Sequence, residues 1–304
     1  VGIKRKKIVR EGNDMKPKML VSFSGGRTSA YMCKWLLENW SHLYEFVFVY
    51  ANTSQEHLKT LEFVDKCDKY FGLNLIWIEA TFGSTRKDVY YQIVDYKSCK
   101  KNGEVFENMI KLYGIPCSPY PHCTRELKLQ PIDRFMRKNE IYKRSVGIRC
   151  DESDRIAKNF EDKNIYYPLI FNKPVTKDEV KLWWSKMPFD LEITEEYGNC
   201  TWCWKKSERK LLTLAKNSPE VFDFPNRMEE KYKDYIPSER FLRGNPQSNG
   251  DIYFFRNNTN AKQILNKSKQ GNFKPFKENV GFQQTLFGEP LDLEMACNEC
   301  GTVF

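Results

Sequence analysis

The chain has 304 residues, 40% hydrophobic and 29% charged, enough material for one large or two small domains with a buried core. No apolar run reaches the roughly 18 residues of a membrane span, and the basic start Lys4-Arg5-Lys6-Lys7 lacks the apolar stretch of a secretory signal. A cytoplasmic location with no membrane partner is therefore expected, and a net charge of +9 favours nucleotides or nucleic acid as partners.

The first half of the chain alternates two hydrophobic periods. Met19–Phe23 reads as a strand, and Arg27–Trp40 as the helix that follows it. Between them Ser22-Phe23-Ser24-Gly25-Gly26-Arg27-Thr28-Ser29 forms a glycine turn opening a helix, the layout that holds an anion. Two adjacent glycines bring backbone N–H groups close, and the hydroxyls of Ser24, Thr28 and Ser29 add donors. The Gly-Lys-Ser/Thr ending of a Walker A loop is missing, and an ordinary turn is the rival reading. Phe46–Tyr50 is a continuous apolar run typical of a strand buried on both faces. Ser54 is expected to cap the next helix, whose Leu58, Leu61, Val64 and Cys67 recur at helical spacing.

Leu73–Ile78 gives a third strand, Arg125 to Asn139 a helix, and Arg144–Ile148 a further strand. This alternation predicts an α/β fold, a Rossmann-like parallel sheet of about five strands flanked by helices, with ligands at the carboxyl ends of the strands. Thr176 and Glu179 begin a helix as a capping box, and Ser207 caps another that stops near Pro219. Past Phe241 the chain is polar without a period and reads as loops. The expected organisation is a basic segment over 1–18, a main domain over 19–240 and an irregular extension over 241–304.

Ten cysteines without an export signal point to thiols or metal ligands more than to disulfides. Cys33 and Cys67 fall on helical patterns as small hydrophobes. Cys117 and Cys123 lie close together, and Cys200/Cys203 and Cys297/Cys300 are C-x-x-C pairs. The two pairs have the spacing of a four-cysteine zinc knuckle.

Five stretches together resemble the phosphoadenosine phosphosulfate (PAPS) reductase family of the PP-loop (HUP-type) superfamily. Ser24-Gly25-Gly26-Arg27-Thr28-Ser29 is similar to its PP-loop, and Tyr50-Ala51-Asn52-Thr53-Ser54-Gln55-Glu56 with Thr60 and Phe63 to the stretch after the second strand. Cys123-Thr124-Arg125-Glu126-Leu127-Lys128-Leu129-Gln130-Pro131 resembles the C-(C/T)-x-x-(R/L)-K-x-x-P motif. Gly147-Ile148-Arg149-Cys150-Asp151-Glu152-Ser153-Asp154-Arg155 resembles G-x-R-x-D/E-x-S-x-x-R, and Tyr167-Pro168-Leu169 with Val175–Val180 the P-L…W-T-x-x-D-V stretch.

The resemblance implies ATP or PAPS as the nucleotide, bound by Ser22, Ser24, Gly25, Gly26, Arg27, Thr28, Ser29, Asn52, Thr53, Glu56, Gly147 and Asp151. Lys128, Arg149 and Arg155 supply cations where phosphate charge gathers. Asp151 and Glu152 either bind Mg²⁺ or pair with the arginines. Thr53 and Glu56 either meet the ribose or adenine or cap a helix.

Iron–sulfur members of the family implicate Cys117, Cys123, Cys200 and Cys203 in a [4Fe–4S] cluster, although Cys123-Thr124 replaces their cysteine pair. Zinc on Cys200, Cys203, Cys297 and Cys300 is the alternative. Glu299-Cys300-Gly301 is similar to the reductase tail whose cysteine attacks the sulfonucleotide, but Thr302 departs from that pattern.

Three functions follow as expectations. The first is an adenylating ATP pyrophosphatase in sulfur transfer, with nucleic acid as a possible acceptor and a sulfur-donor protein as partner. The second is a thiol-dependent PAPS or adenylyl-sulfate reductase that yields sulfite through Cys300 with a thioredoxin-like protein. The third is a non-catalytic nucleotide- or nucleic-acid-binding subunit.

Overall fold

Six strands form one sheet in the computed structural model, which describes residues 16–118, 120–198, 200–235 and 251–277. In chain order they are β1 (Lys18–Ser22), β2 (Glu45–Asn52), β3 (Ile76–Phe82), β4 (Val89–Val94), β5 (Lys143–Val146) and β6 (Ile165–Tyr166). The spatial order is β4-β3-β2-β1-β5-β6, parallel throughout except for β4, which runs antiparallel to β3 at one edge. The fold is α/β, with a mostly parallel sheet flanked by helices.

Alternation along the strands builds two cores. Val21, Phe48, Tyr50 and Trp77 face α1 (Arg27–Trp40) and α2 (Leu58–Phe71), whose Met32, Cys33, Leu61 and Cys67 are buried there. Leu20, Val49, Ala51 and Ile78 face the other way, onto Ile132 and Phe135 of the helix that precedes β5. Burial pushes the thiols of Cys33 and Cys67 well up, as expected of small hydrophobes.

Several local expectations change. Ser54 does not cap α2; it sits at φ +65°, and its hydroxyl accepts from the N–H groups of Val105 and Phe106 at 3.1 and 3.4 Å. It thus caps α3 (Glu104–Tyr113), a helix the sequence reading omitted, while His57 caps α2 by accepting from Lys59 N at 3.1 Å. The third strand starts later than expected, because Gly72 ends α2 at φ +66° and Asn74 holds φ +52°, which breaks an extended run.

The expected helix from Arg125 divides. A π-helical turn, Arg125–Leu129, precedes α4 (Gln130–Lys138), because Pro131 has no N–H with which to continue the α pattern. Downstream lie α5 (Lys177–Trp184), with the predicted Thr176–Glu179 capping box, α6 (Glu208–Asn217) and α7 (Asp223–Tyr232). The polar stretch past Phe241, read as loops, contains a helix, α8 (Ala261–Gln270), that buries Ala261 and Ile264 in the core of α3, α6 and α7. Among the described residues no helix is long and apolar enough to cross a membrane.

Candidate nucleotide site

The turn after β1 needs its first glycine. Gly25 holds φ +86°, and a Cβ there would lie 3.0 Å from Thr60 Cγ2 and 3.2 Å from the Tyr50 ring. Gly26 caps α1 without a side-chain hydrogen bond, so the helix presents its first N–H groups and its partial positive charge to the loop. Ser29 closes the turn: its hydroxyl accepts from Ser24 N at 3.1 Å and from Ser24 Oγ at 2.9 Å, and donates to Gly26 O at 3.0 Å. Close behind Gly25, the buried hydroxyls of Tyr50 and Thr60 have no hydrogen-bond partner among the described residues. The glycine is therefore required by close packing of the turn against α2 and β2.

A cavity of about 40 Å³ is lined by Ser22, Ser24 and Ser29, by Gly147 after β5, and by Lys128 of the π turn. Gly147 allows this convergence, since a Cβ there would meet the Ser29 Cα at 3.1 Å. The volume is well below the several hundred Å³ of a small-molecule pocket, so a whole nucleotide requires the walls to separate.

Arg27 turns away from the cavity. Its guanidinium grips Asp190 at 2.7 and 3.0 Å and donates to Leu191 O, while Trp184 Nε1 donates to the Arg27 carbonyl at 3.0 Å. Arg149 reaches the loop instead, donating from Nη1 to Thr28 Oγ1 at 3.0 Å. It is buried and also pairs with Asp151 at 3.0 Å and Glu152 at 3.3 Å, and Arg155 pairs with Glu152 in turn. In this structure the two acids therefore neutralise the arginines.

The expected β2-end residues are tightly partnered. Asn52 donates to Glu79 Oε1 at 2.7 Å and Lys100 O at 2.8 Å, so this amide fixes a loop. Glu56 accepts from Thr53 N at 3.0 Å and Thr53 Oγ1 at 2.8 Å, and its carboxylate lies 3.7 Å from Lys128 Nζ.

Lys128 also lines a second pocket, with Thr53, Cys123, Cys200 and Cys203. Three of the four cysteines expected of a cluster thus share one lining. The fourth, Cys117, is buried in the adjoining core, its backbone paired with Tyr120. Among the described residues no three His, Cys, Asp or Glu side chains are arranged to hold a metal ion. Among the described residues the four cysteines as placed therefore do not form a complete cluster site. Cys297 and Cys300, required by the zinc alternative and by the reductase tail, lie outside the described residues. His122 contacts Gly114 O at 3.0 Å.

Sequence reasoning missed Asp190 as the partner of Arg27, and Lys206. Buried Lys206 donates to the carbonyls of Cys200 and Thr201, at 2.6 Å each, and shapes the C-x-x-C turn. For Asp190 the contact spans 163 residues, so no local signal exists.

Fold and loop together define an α/β protein with a glycine turn and a helix N-terminus at the carboxyl end of its first strand. No family model matches the chain. It is 35% identical over 208 residues to the uncharacterized nin region protein ORF290 of Escherichia phage lambda, a match covering 65% of this chain and 69% of that protein. The chain belongs to the family of that phage protein. It is also 27% identical over 155 residues to the uncharacterized protein MJ0066 of Methanocaldococcus jannaschii, covering 50% of this chain and 27% of that longer protein.

Two solved structures are similar at low identity. PAPS reductase from Candida auris, in a phosphate complex, has 14% identity and a TM-score of 0.37, covering 57% of this chain and 75% of that one. The U34-tRNA thiolase NcsA from Methanococcus maripaludis, with its [4Fe-4S] cluster, has 13% identity and a TM-score of 0.38, covering 86% and 75%.

Proposed function

We propose that this chain is a PP-loop enzyme that binds an adenine nucleotide and uses ATP to activate an acceptor oxygen for replacement by sulfur. The observation that carries the reading is the convergence of Ser22, Ser24, Ser29, Gly147 and Lys128 on one cavity, with Arg149 bound to Thr28 of the same loop. In this reading the acceptor oxygen attacks the α-phosphorus of ATP. The bond from that phosphorus to the bridging oxygen breaks, and pyrophosphate leaves with the electron pair. Sulfide, as the reduced sulfur donor, then forms the carbon–sulfur bond while the carbon–oxygen bond breaks and AMP leaves with the electron pair. Lys128 and the α1 N-terminus meet the charge that develops on the phosphates, and Arg149 holds the helix start in place. The net charge of +9 agrees with a nucleic-acid acceptor.

A second reading, thiol-dependent reduction of a sulfonucleotide, draws support from the thiols of Cys123, Cys200 and Cys203 lining a pocket beside Lys128. One assay separates the two. Pyrophosphate release from ATP that depends on acceptor and is lost in Gly25→Val supports the first reading. Sulfite formed from PAPS without pyrophosphate release from ATP supports the second. Unchanged ATP affinity in Gly25→Val refutes the assignment of the loop.

A further inference from the structure

A larger cavity lies on the same face of the sheet, toward the amino ends of β5 and β6. Its volume is about 420 Å³, and Asp133, Arg137, Tyr142, Arg144 and Lys163 line it. Arg144 pairs in register with Leu20, which places its side chain on the α4 face. That guanidinium is 91% buried, since only 9% of the side chain is exposed. It is bound to Asp133 through Nη2, yet its Nε has no hydrogen-bond partner among the described residues. A buried guanidinium edge with an unused donor is costly, and an acceptor reaches this enclosed Nε only when the lining shifts.

Three cations against one carboxylate leave the lining with a net positive charge, and Tyr142 stands 72% exposed at its rim. Guanidinium donors match phosphate oxygens, and an exposed aromatic ring stacks on a base. The volume falls in the range of small-ligand pockets and suits a single nucleotide unit. Helix α4 joins this cavity to the loop. Ile132 lines the loop cavity, while Asp133 and Arg137 line the other, one and five residues further on, a rise of at most about 7.5 Å along the helix. A flexible strand a few nucleotides long spans that distance.

We propose that this cavity is a docking site for the phosphate backbone of single-stranded nucleic acid, holding the acceptor strand while a neighbouring unit reaches the loop. The proposal rests on the reading of the acceptor as nucleic acid. Its chemistry is a phosphate on Arg144 and Arg137, with a base against Tyr142.

The test is fluorescence anisotropy with a labelled single-stranded oligonucleotide at several salt concentrations, on the full chain and on Arg137→Glu and Tyr142→Ala. Both side chains are exposed, so both variants are expected to fold, which circular dichroism checks. Each should weaken binding about tenfold, and Arg137→Glu should lower the salt slope by about one. ATP affinity should stay unchanged, because neither residue lines the loop cavity. Wild-type affinity and slope in both folded variants would overturn the site. So would displacement of the oligonucleotide by AMP at the oligonucleotide's own dissociation constant, or by polyglutamate of equal affinity. If wild-type protein fails to bind ATP while the variants still lose the oligonucleotide, the docking site stands and the ATP reading falls.

Discussion

Arg149 Nη1 donates to the Thr28 hydroxyl at 3.0 Å, which ties the carboxyl end of β5 to the first turn of α1. The same guanidinium pairs with Asp151 and Glu152, so one buried cation organises loop, strand end and acidic turn together. Arg149→Met should leave Glu152 short of a partner in a buried setting and destabilise the fold by roughly 2–4 kcal/mol. ATP affinity should fall at least tenfold, because Thr28 loses its anchor. Arg149→Lys keeps the charge without the fork and should recover stability only in part. Urea denaturation and calorimetric ATP titration check this, and an unchanged ATP affinity in a folded Arg149→Met would contradict it.

What was legible follows from what is local. The bounds of α1, Arg27–Trp40, could be read directly, because its apolar spacing and the preceding glycines lie within one window. The turn geometry at Gly25 was legible for the same reason. Ser54 was misassigned because its hydroxyl serves α3, some fifty residues later, and a sequence window shows only the nearer helix. The antiparallel β4 was missed because it is an edge strand whose exposed Tyr90 and Ile93 blur the alternation that identifies a half-buried strand. The pairing of the acids with Arg149 and Arg155 was one of two readings left open, and spacing alone does not choose between ion pair and metal.

Arg27 was expected to meet the nucleotide, whereas its guanidinium clamps Asp190 across 163 residues. Both side chains are partly exposed, so the pair is worth about 1 kcal/mol. A double-mutant cycle on Arg27→Ala and Asp190→Ala should return a coupling of that size by denaturant unfolding. The loss of ATP affinity in Arg27→Ala should stay within about fivefold, the factor that 1 kcal/mol represents. A tenfold or greater loss would mean that the arginine leaves Asp190 to bind phosphate.

Lys206 is buried and donates to Cys200 O and Thr201 O at 2.6 Å each. Lys206→Met removes the ammonium and leaves those carbonyls without a charged donor. The expected cost is about 2–4 kcal/mol, with faster labelling of Cys200 and Cys203 by a thiol reagent as the turn loosens. Labelling rates equal to wild type would show that the turn holds without the lysine.

Glu229 couples the end of the described chain to pH. Its carboxylate is buried and accepts from Phe254 N at 3.0 Å and Ala261 N at 2.8 Å, which anchors the segment leading into α8. Burial pushes its pKa up from 4.5 to about 7, partly opposed by those two N–H donors. The folded pKa exceeds the unfolded one, so the folded chain retains a proton that the unfolded chain releases between those values. The resulting stability is fully present below the unfolded pKa and is lost as pH rises through about 7. The shift corresponds to a contribution on the order of 3 kcal/mol. Glu229→Gln is neutral at every pH, and its amide can accept from only one of the two N–H groups. Its stability should start about 1–2 kcal/mol below wild type in acid. The gap should narrow toward alkaline pH as wild type loses its protonated carboxyl. Urea melts of both proteins at several pH values isolate this group from other titrations. A gap that widens as pH rises would show that Glu229 is ionised in the fold and that its two N–H donors outweigh burial.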